Sequence, residues 1–97
     1  MKVISLKIIR DYIKKQSSAK QSLLSWYYEA LDAKWKTPQD IKNQYNSASF
    51  LENNIVIFNI KGNKYRLVTK IAYNTQIVFI KWIGIHSEYN KINFKGW

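Results

Sequence analysis

Five basic residues, Lys61, Lys64, Arg66, Lys70 and Lys81, fall in a stretch that alternates apolar and polar residues with the period of β-strands. A two-residue turn at Gly62-Asn63 pairs Lys61 with Lys64, Asn59 with Arg66, Ile57 with Val68 and Ile55 with Lys70. A second at Asn74-Thr75 pairs Lys70 with Phe79, Val68 with Lys81 and Arg66 with Ile83. Paired residues project to one side of a sheet, so this register gathers all five cations on a single face. No acidic residue occurs between Glu52 and Glu88. Like charges across strands repel, so such a face calls for an anion between its cations. Arg66 is one of only two Arg in the chain, and its planar donors match a phosphate bidentately. The competing readings are a merely solubilising face and, for Arg66, an ion pair with Glu52 or Glu88.

His86 is the only histidine, and the only side chain here that titrates near neutrality without perturbation. It follows Gly84 directly after the last strand, with Glu88 and Tyr89 close behind. The alternative for His86 is a helix cap or a packed surface residue, and for Tyr89 packing of the C-terminal turn onto the sheet. With no Cys, there is no disulfide, thiolate metal site or cysteine nucleophile. One His and six scattered acids argue against a dedicated metal cage, and no cofactor is expected. Three Gly and one Pro leave no room for a long phosphate loop or a flexible linker.

These residues need a scaffold. Ninety-seven residues, 46% of them apolar and 15% aromatic, make one domain, 1–97, with a small core. Val3 and Ile4 suit a short opening strand, and Ile8, Ile9, Tyr12 and Ile13 line one face of a helix over 7–15. A second helix over about 19–34 carries a stripe of Leu23, Leu24, Tyr27, Ala30 and Leu31. Thr37-Pro38-Gln39-Asp40 is a helix start, with Thr37 as cap, Pro38 in the first turn and Asp40 reaching back, for a helix ending near 44. Strands are expected at 48–51, 54–60, 64–73 and 76–83, joined by two-residue turns at Glu52-Asn53, Gly62-Asn63 and Asn74-Thr75. A closing helical turn or two is expected within 86–92. A helical layer at about 7–44 followed by a β-meander at about 48–83 is an α+β arrangement, helices on one face of an antiparallel sheet. That apolar face holds Phe58, Ile60, Tyr65, Leu67, Ile71, Val78, Ile80 and Trp82, and Trp26 and Trp35 belong to the helical layer.

The net charge of +10 favours polyanions, with nucleic acid ahead of an acidic protein or an anionic membrane surface. No apolar run reaches the roughly 18–20 residues that span a bilayer. The opening Met1-Lys2-Val3-Ile4-Ser5-Leu6-Lys7 lacks the long apolar stretch and cleavage site of a signal peptide, so the expected location is the cytoplasm.

Several segments together resemble a known family. Val56-Ile57-Phe58-Asn59-Ile60-Lys61-Gly62-Asn63-Lys64-Tyr65-Arg66-Leu67-Val68 and Gly84-Ile85-His86-Ser87-Glu88-Tyr89 are similar to segments of the HigB toxins of bacterial toxin–antitoxin pairs. Met1-Lys2-Val3-Ile4-Ser5, Trp26-Tyr27 and Lys34-Trp35-Lys36-Thr37-Pro38-Gln39-Asp40 fit in the same order. The family usually has Thr and Asp where this chain has Ile85 and Asn90. The resemblance implies a RelE-like fold and a toxin that cuts mRNA on the translating ribosome. It also implies a HigA-type helix-turn-helix antitoxin as partner, DNA being met only through that antitoxin. For such a ribonuclease the ribose 2′-OH attacks the adjacent phosphodiester, giving a 2′,3′-cyclic phosphate and a 5′-hydroxyl. Arg66 is then the candidate to stabilise the phosphorane, His86 and Tyr89 to move protons, and Glu88 to orient His86. Lys61, Lys64, Lys70 and Lys81 are the candidates to hold neighbouring phosphates. The alternative is a non-catalytic module that binds RNA or the antitoxin through the same basic face.

Overall fold

The computed structural model describes all residues from Met1 to Trp97. In chain order the elements are β1 (Lys2–Ile4), α1 (Leu6–Lys15), a 3-10 turn (Ser17–Ala19), α2 (Lys20–Asp32), α3 (Pro38–Gln44), β2 (Ser49–Phe50), β3 (Ile55–Ile60), β4 (Tyr65–Ala72), β5 (Ile77–Ile85) and α4 (His86–Tyr89). The fold is α+β, as expected, and its five-stranded sheet has the order β1-β5-β4-β3-β2. β2 to β5 form an antiparallel meander, while β1 adds to β5 in parallel, with Val3 opposite Val78. That parallel edge has no local turn to announce it, since the whole helical layer lies between the two strands.

Local chemistry explains the helices. α1 buries Ile9 and leaves Lys14 and Lys15 in its last turn, where cations suit the helix dipole. α3 begins at the expected capping box. Thr37 Oγ1 accepts from the Asp40 N–H at 3.3 Å, and Asp40 Oδ2 accepts from the N–H groups of Thr37 at 3.1 Å and Lys36 at 2.9 Å. α2 is shorter than expected and rotated. Its buried ridge is Leu23, Trp26 and Ala30, continuing from Ala19 of the 3-10 turn, whereas Leu31 is 41% exposed. Leu24, Tyr27 and Leu31 offer a second stripe of the same period. Trp26 prevails because its ring fits against Phe58, centroids 5.3 Å apart.

The main core lies between the helices and one sheet face. Phe58 sits at its centre, ringed by Trp26, Trp35 and Tyr45. Val56, Ile60, Tyr65, Leu67, Ile71, Val78 and Ile80 are buried around it. Removing the Phe58 ring costs about 3–5 kcal/mol on the scale of large-to-small core changes.

The β3–β4 register is the expected one, with Ile57 opposite Val68 and Asn59 opposite Arg66. The β2–β3 connection is one residue longer than expected. Leu51 donates to the Ile55 carbonyl, and Asn53 and Asn54 both take left-handed φ of 61°. The β4–β5 register starts as expected, with Lys70 opposite Phe79, and then slips at Val68/Thr69. Thr69 faces Ile80 but Val68 faces Trp82, so Lys81 is the extra residue of a β-bulge. Beyond it Trp82 and Gly84 join the face away from the helices, and Ile83 turns into the core.

Candidate active site

The bulge and the turn before β4 together decide which cations reach the outer sheet face. Arg66 and Lys70 are on it, at alternate positions of β4. Lys81, the extra residue of the bulge, has no partner on β4 and is exposed beside Trp82 and the α1 residues Ile8, Asp11, Tyr12 and Lys15. Lys61 and Lys64 lie beyond the last ladder pair, Ile60 with Tyr65, so strand alternation does not govern them. Lys61 has a left-handed φ of 54°, and its Nζ donates to the Ser18 carbonyl at 3.2 Å, on the helical side. Lys64 Nζ is 5.5 Å from the ring centre of Tyr65, a core residue. Of the five cations expected on one face, Arg66 and Lys70 hold ladder positions there, Lys81 is set aside by the bulge, and Lys61 and Lys64 fall outside the ladder.

The rest of the outer face is apolar and covered. Ile55, Ile57 and Val68 form a small second core under Trp82, Tyr89, Phe94 and Trp97. Lys70 serves this cover, its Nζ donating to the Trp97 carbonyl at 3.2 Å. At one end of the cover stands Arg66, half-buried, between Asn59 on β3 and Gly84 on β5. Its Nη1 donates to the Asn63 carbonyl at 3.0 Å, and its guanidinium carbon lies 5.9 Å from the Tyr89 ring centre. The ion pair with Glu52 or Glu88 does not form, since the only salt bridge is Lys7 with Asp11. A guanidinium has five N–H donors, so Arg66 keeps most of them for a ligand.

α4 brings in the other candidates. β5 runs into it without a loop, and Ile85 has the extended φ, ψ of a cap. Glu88 Oε1 accepts from the Ile85 N–H at 3.3 Å, the returning half of a capping box. Ile85 has no oxygen to supply the other half. Glu88 is thus occupied in starting the helix, and it neither orients His86 nor pairs with a sheet lysine. His86 and Tyr89, three apart, share one side of the single turn, His86 exposed and Tyr89 half-buried beside Trp82 at 6.5 Å. Asn90 follows as the C-cap, its N–H on the His86 carbonyl at 3.1 Å.

Gly84 makes this junction possible. A Cβ there would lie 2.4 Å from the Trp82 ring and 3.1 Å from Glu88 Oε1. Trp82 and Glu88 both pack over the bare backbone, which holds α4 against the strand beside Arg66. Two contributors escaped the sequence reading, Gly84 as a packing requirement and Trp82 as a residue of this face. Both depend on the bulge. Its trace in the sequence is the step from Ile80 to Ile83 in an otherwise two-residue core spacing.

The arrangement is a half-buried cation without a counter-ion, with a phenol over it and an imidazole on the same helical turn. It can bind one phosphate and stabilise added charge there, with groups that exchange protons close by. No helix is long and apolar enough to cross a membrane. No curated protein matches the chain. A profile of the HigB toxins, described as the RelE-like toxic component of a toxin–antitoxin system, matches residues 19–92. That match covers most of the chain, including the Arg66–Tyr89 site, and the mixed sheet with its helical layer is the RelE-like architecture. The chain belongs to the HigB toxin family, the toxic half of a pair whose other half is an antitoxin.

Proposed function

We propose that the chain is the toxin of a type II pair that cuts mRNA on the translating ribosome, in the cytoplasm, and is neutralised by a HigA-type helix-turn-helix antitoxin. The observation that carries this reading is Arg66, half-buried on the outer sheet face with no carboxylate partner and with Tyr89 against it. In the proposed reaction the ribose 2′-oxygen attacks the adjacent phosphorus, and its proton passes to the imidazole of His86. Arg66 holds the two non-bridging oxygens as negative charge grows on the phosphorane. The bond to the 5′-oxygen breaks, that oxygen takes a proton from the Tyr89 hydroxyl, and the proton held by His86 afterwards restores the phenol. Loss of one such preorganised donor typically costs about 10²–10³ in rate, and loss of a proton-transfer group about 10²–10⁴. DNA lacks the attacking hydroxyl and is not cut.

The competing reading, a binding module for RNA or antitoxin without catalysis, has one observation behind it. The His86 imidazole has no hydrogen-bond partner to fix its tautomer, unlike the usual arrangement of a catalytic histidine. Product chemistry separates the two. Purified toxin is incubated with a defined mRNA, on programmed ribosomes in magnesium buffer and as free RNA in EDTA. Fragments ending in 2′,3′-cyclic phosphate support the nuclease. Intact RNA under both conditions, from folded protein, supports the binding module.

A further inference from the structure

Lys61 and Lys64, the two lysines of the β3–β4 turn, come together on its helical side. Lys61 and Gly62 are consecutive left-handed residues, φ 54° and 66°, in the β3–β4 turn. Such positions ordinarily go to Asn, Asp or Gly, because a Cβ is strained there. The first of them carries Lys in this chain. Its ammonium reaches across to the Ser18 carbonyl at 3.2 Å, which uses one of its three donors. The Ser18 hydroxyl is hydrogen-bonded to the Tyr65 hydroxyl at 2.6 Å. Lys64 Nζ lies 5.5 Å from the Tyr65 ring centre. This hydrogen bond from Ser18, with the field of Lys64 and Lys61, holds the Tyr65 phenol below its ordinary pKa. Neither ammonium has a carboxylate partner. The next turn residue, Asn63, is the one whose carbonyl holds Arg66.

We propose that Lys61 and Lys64, beside Ser18 and Tyr65, form a second phosphate-binding site, which takes a backbone phosphate of the same RNA strand after it crosses the tip of the β3–β4 turn. The inference rests on the nuclease reading and deepens it by giving the RNA a path. The strand does not run along the sheet face toward Lys70, which the C-terminal segment covers. It passes from Arg66 over Asn63 to the helical side. A backbone strained to present an ammonium at this point is explained by a ligand there, since an Asn or Gly would close the turn with less strain. An acidic segment of the antitoxin would suit the same charges. RNA is favoured because the turn joins the site to Arg66 through a single residue.

The test is binding of a short 2′-O-methyl oligoribonucleotide, which cannot be cut, measured over a range of salt. The Lys61→Gln/Lys64→Gln protein is compared with the unaltered chain. The control is Lys34→Gln/Lys36→Gln, which removes the same charge at the far end of the sheet, where Gln76 bonds the Trp35 carbonyl. For one phosphate contact the slope of log K against log salt falls by about 0.7 in the first variant and stays unchanged in the control. In cleavage assays KM rises while kcat at saturating RNA is unchanged. Lys61→Gly gives an opposed pair of effects, melting no lower than the unaltered chain yet binding RNA more weakly. An unchanged slope, an equal loss in the control pair, or a loss confined to antitoxin binding overturns the second site and leaves the nuclease reading intact. If the unaltered chain neither binds nor cuts RNA, both fall.

Discussion

In the proposed reaction Arg66 supplies charge and Tyr89 a proton, and the part given to Tyr89 rests on a single oxygen. Tyr89→Phe keeps the ring against Arg66 and Trp82 and removes only the hydroxyl. The variant is expected to melt with the unaltered protein and to cut RNA about 10²-fold or more slowly, as read by single-turnover cleavage. An unchanged rate would leave proton transfer to His86 alone. Ile85 is different in kind. It stands at the cap of α4, where Glu88 already returns to its N–H and the family's usual Thr would complete the box. A new cap contributes about 1 kcal/mol, and the methyl and methylene lost from a half-buried Ile offset most of it. Ile85→Thr should therefore melt at or slightly above the unaltered protein, with its cleavage rate unchanged. A large gain in rate would instead give the hydroxyl a part in the chemistry.

The elements decide which of the candidate residues meet. Arg66 could be placed opposite Asn59 from sequence because the β3–β4 turn preserves parity, and Ile57 with Val68 follows from the same count. Trp82 and Ile83 could not, because one extra residue in β5 exchanges their faces. Strand alternation likewise says nothing of Lys61 and Lys64, which lie in a left-handed turn outside the ladder. Trp97 had no periodicity to follow, and its place over the outer face depends on contacts that only the folded chain brings together. The junction of β5 and α4 is where these errors have consequences. Gly84→Ala forces the Trp82 ring off the strand, at a cost of about 1–3 kcal/mol for overpacking. It should lower the thermal midpoint and the cleavage rate together, and Trp82 fluorescence should shift. A neutral outcome would mean the ring has room to move. The start of α3 was legible in full, and it carries a pH dependence. Backbone N–H bonds from Lys36 and Thr37 favour the charged form of Asp40 and hold its carboxyl below the usual range. The folded protein therefore binds that proton less readily than the unfolded one. The stabilisation is complete above about pH 4, the ordinary Asp value, and is lost as pH falls through the lower folded value. Asp40→Asn should melt below the unaltered protein at neutral pH, the gap closing in acid.

Over the whole molecule the net charge of +10 is set against a single internal ion pair, Lys7 with Asp11, both exposed. Such a pair adds little stability. The remaining cations project a field that draws polyanions from a distance, so association with RNA should be fast and steeply salt-dependent. Field alone does not make a nuclease. The sheet concentrates one guanidinium where its charge is uncompensated. The bulge, Gly84 and α4 set a phenol over it, while the C-terminal segment covers the remaining apolar face. The most direct test of this account is primer extension on a defined mRNA with programmed ribosomes, comparing the unaltered toxin with Arg66→Ala at matched folding. The account predicts discrete cuts whose rate falls about 10²–10³-fold in the variant, while RNA binding weakens far less. Cuts of undiminished rate from Arg66→Ala would place the chemistry elsewhere and contradict the central claim.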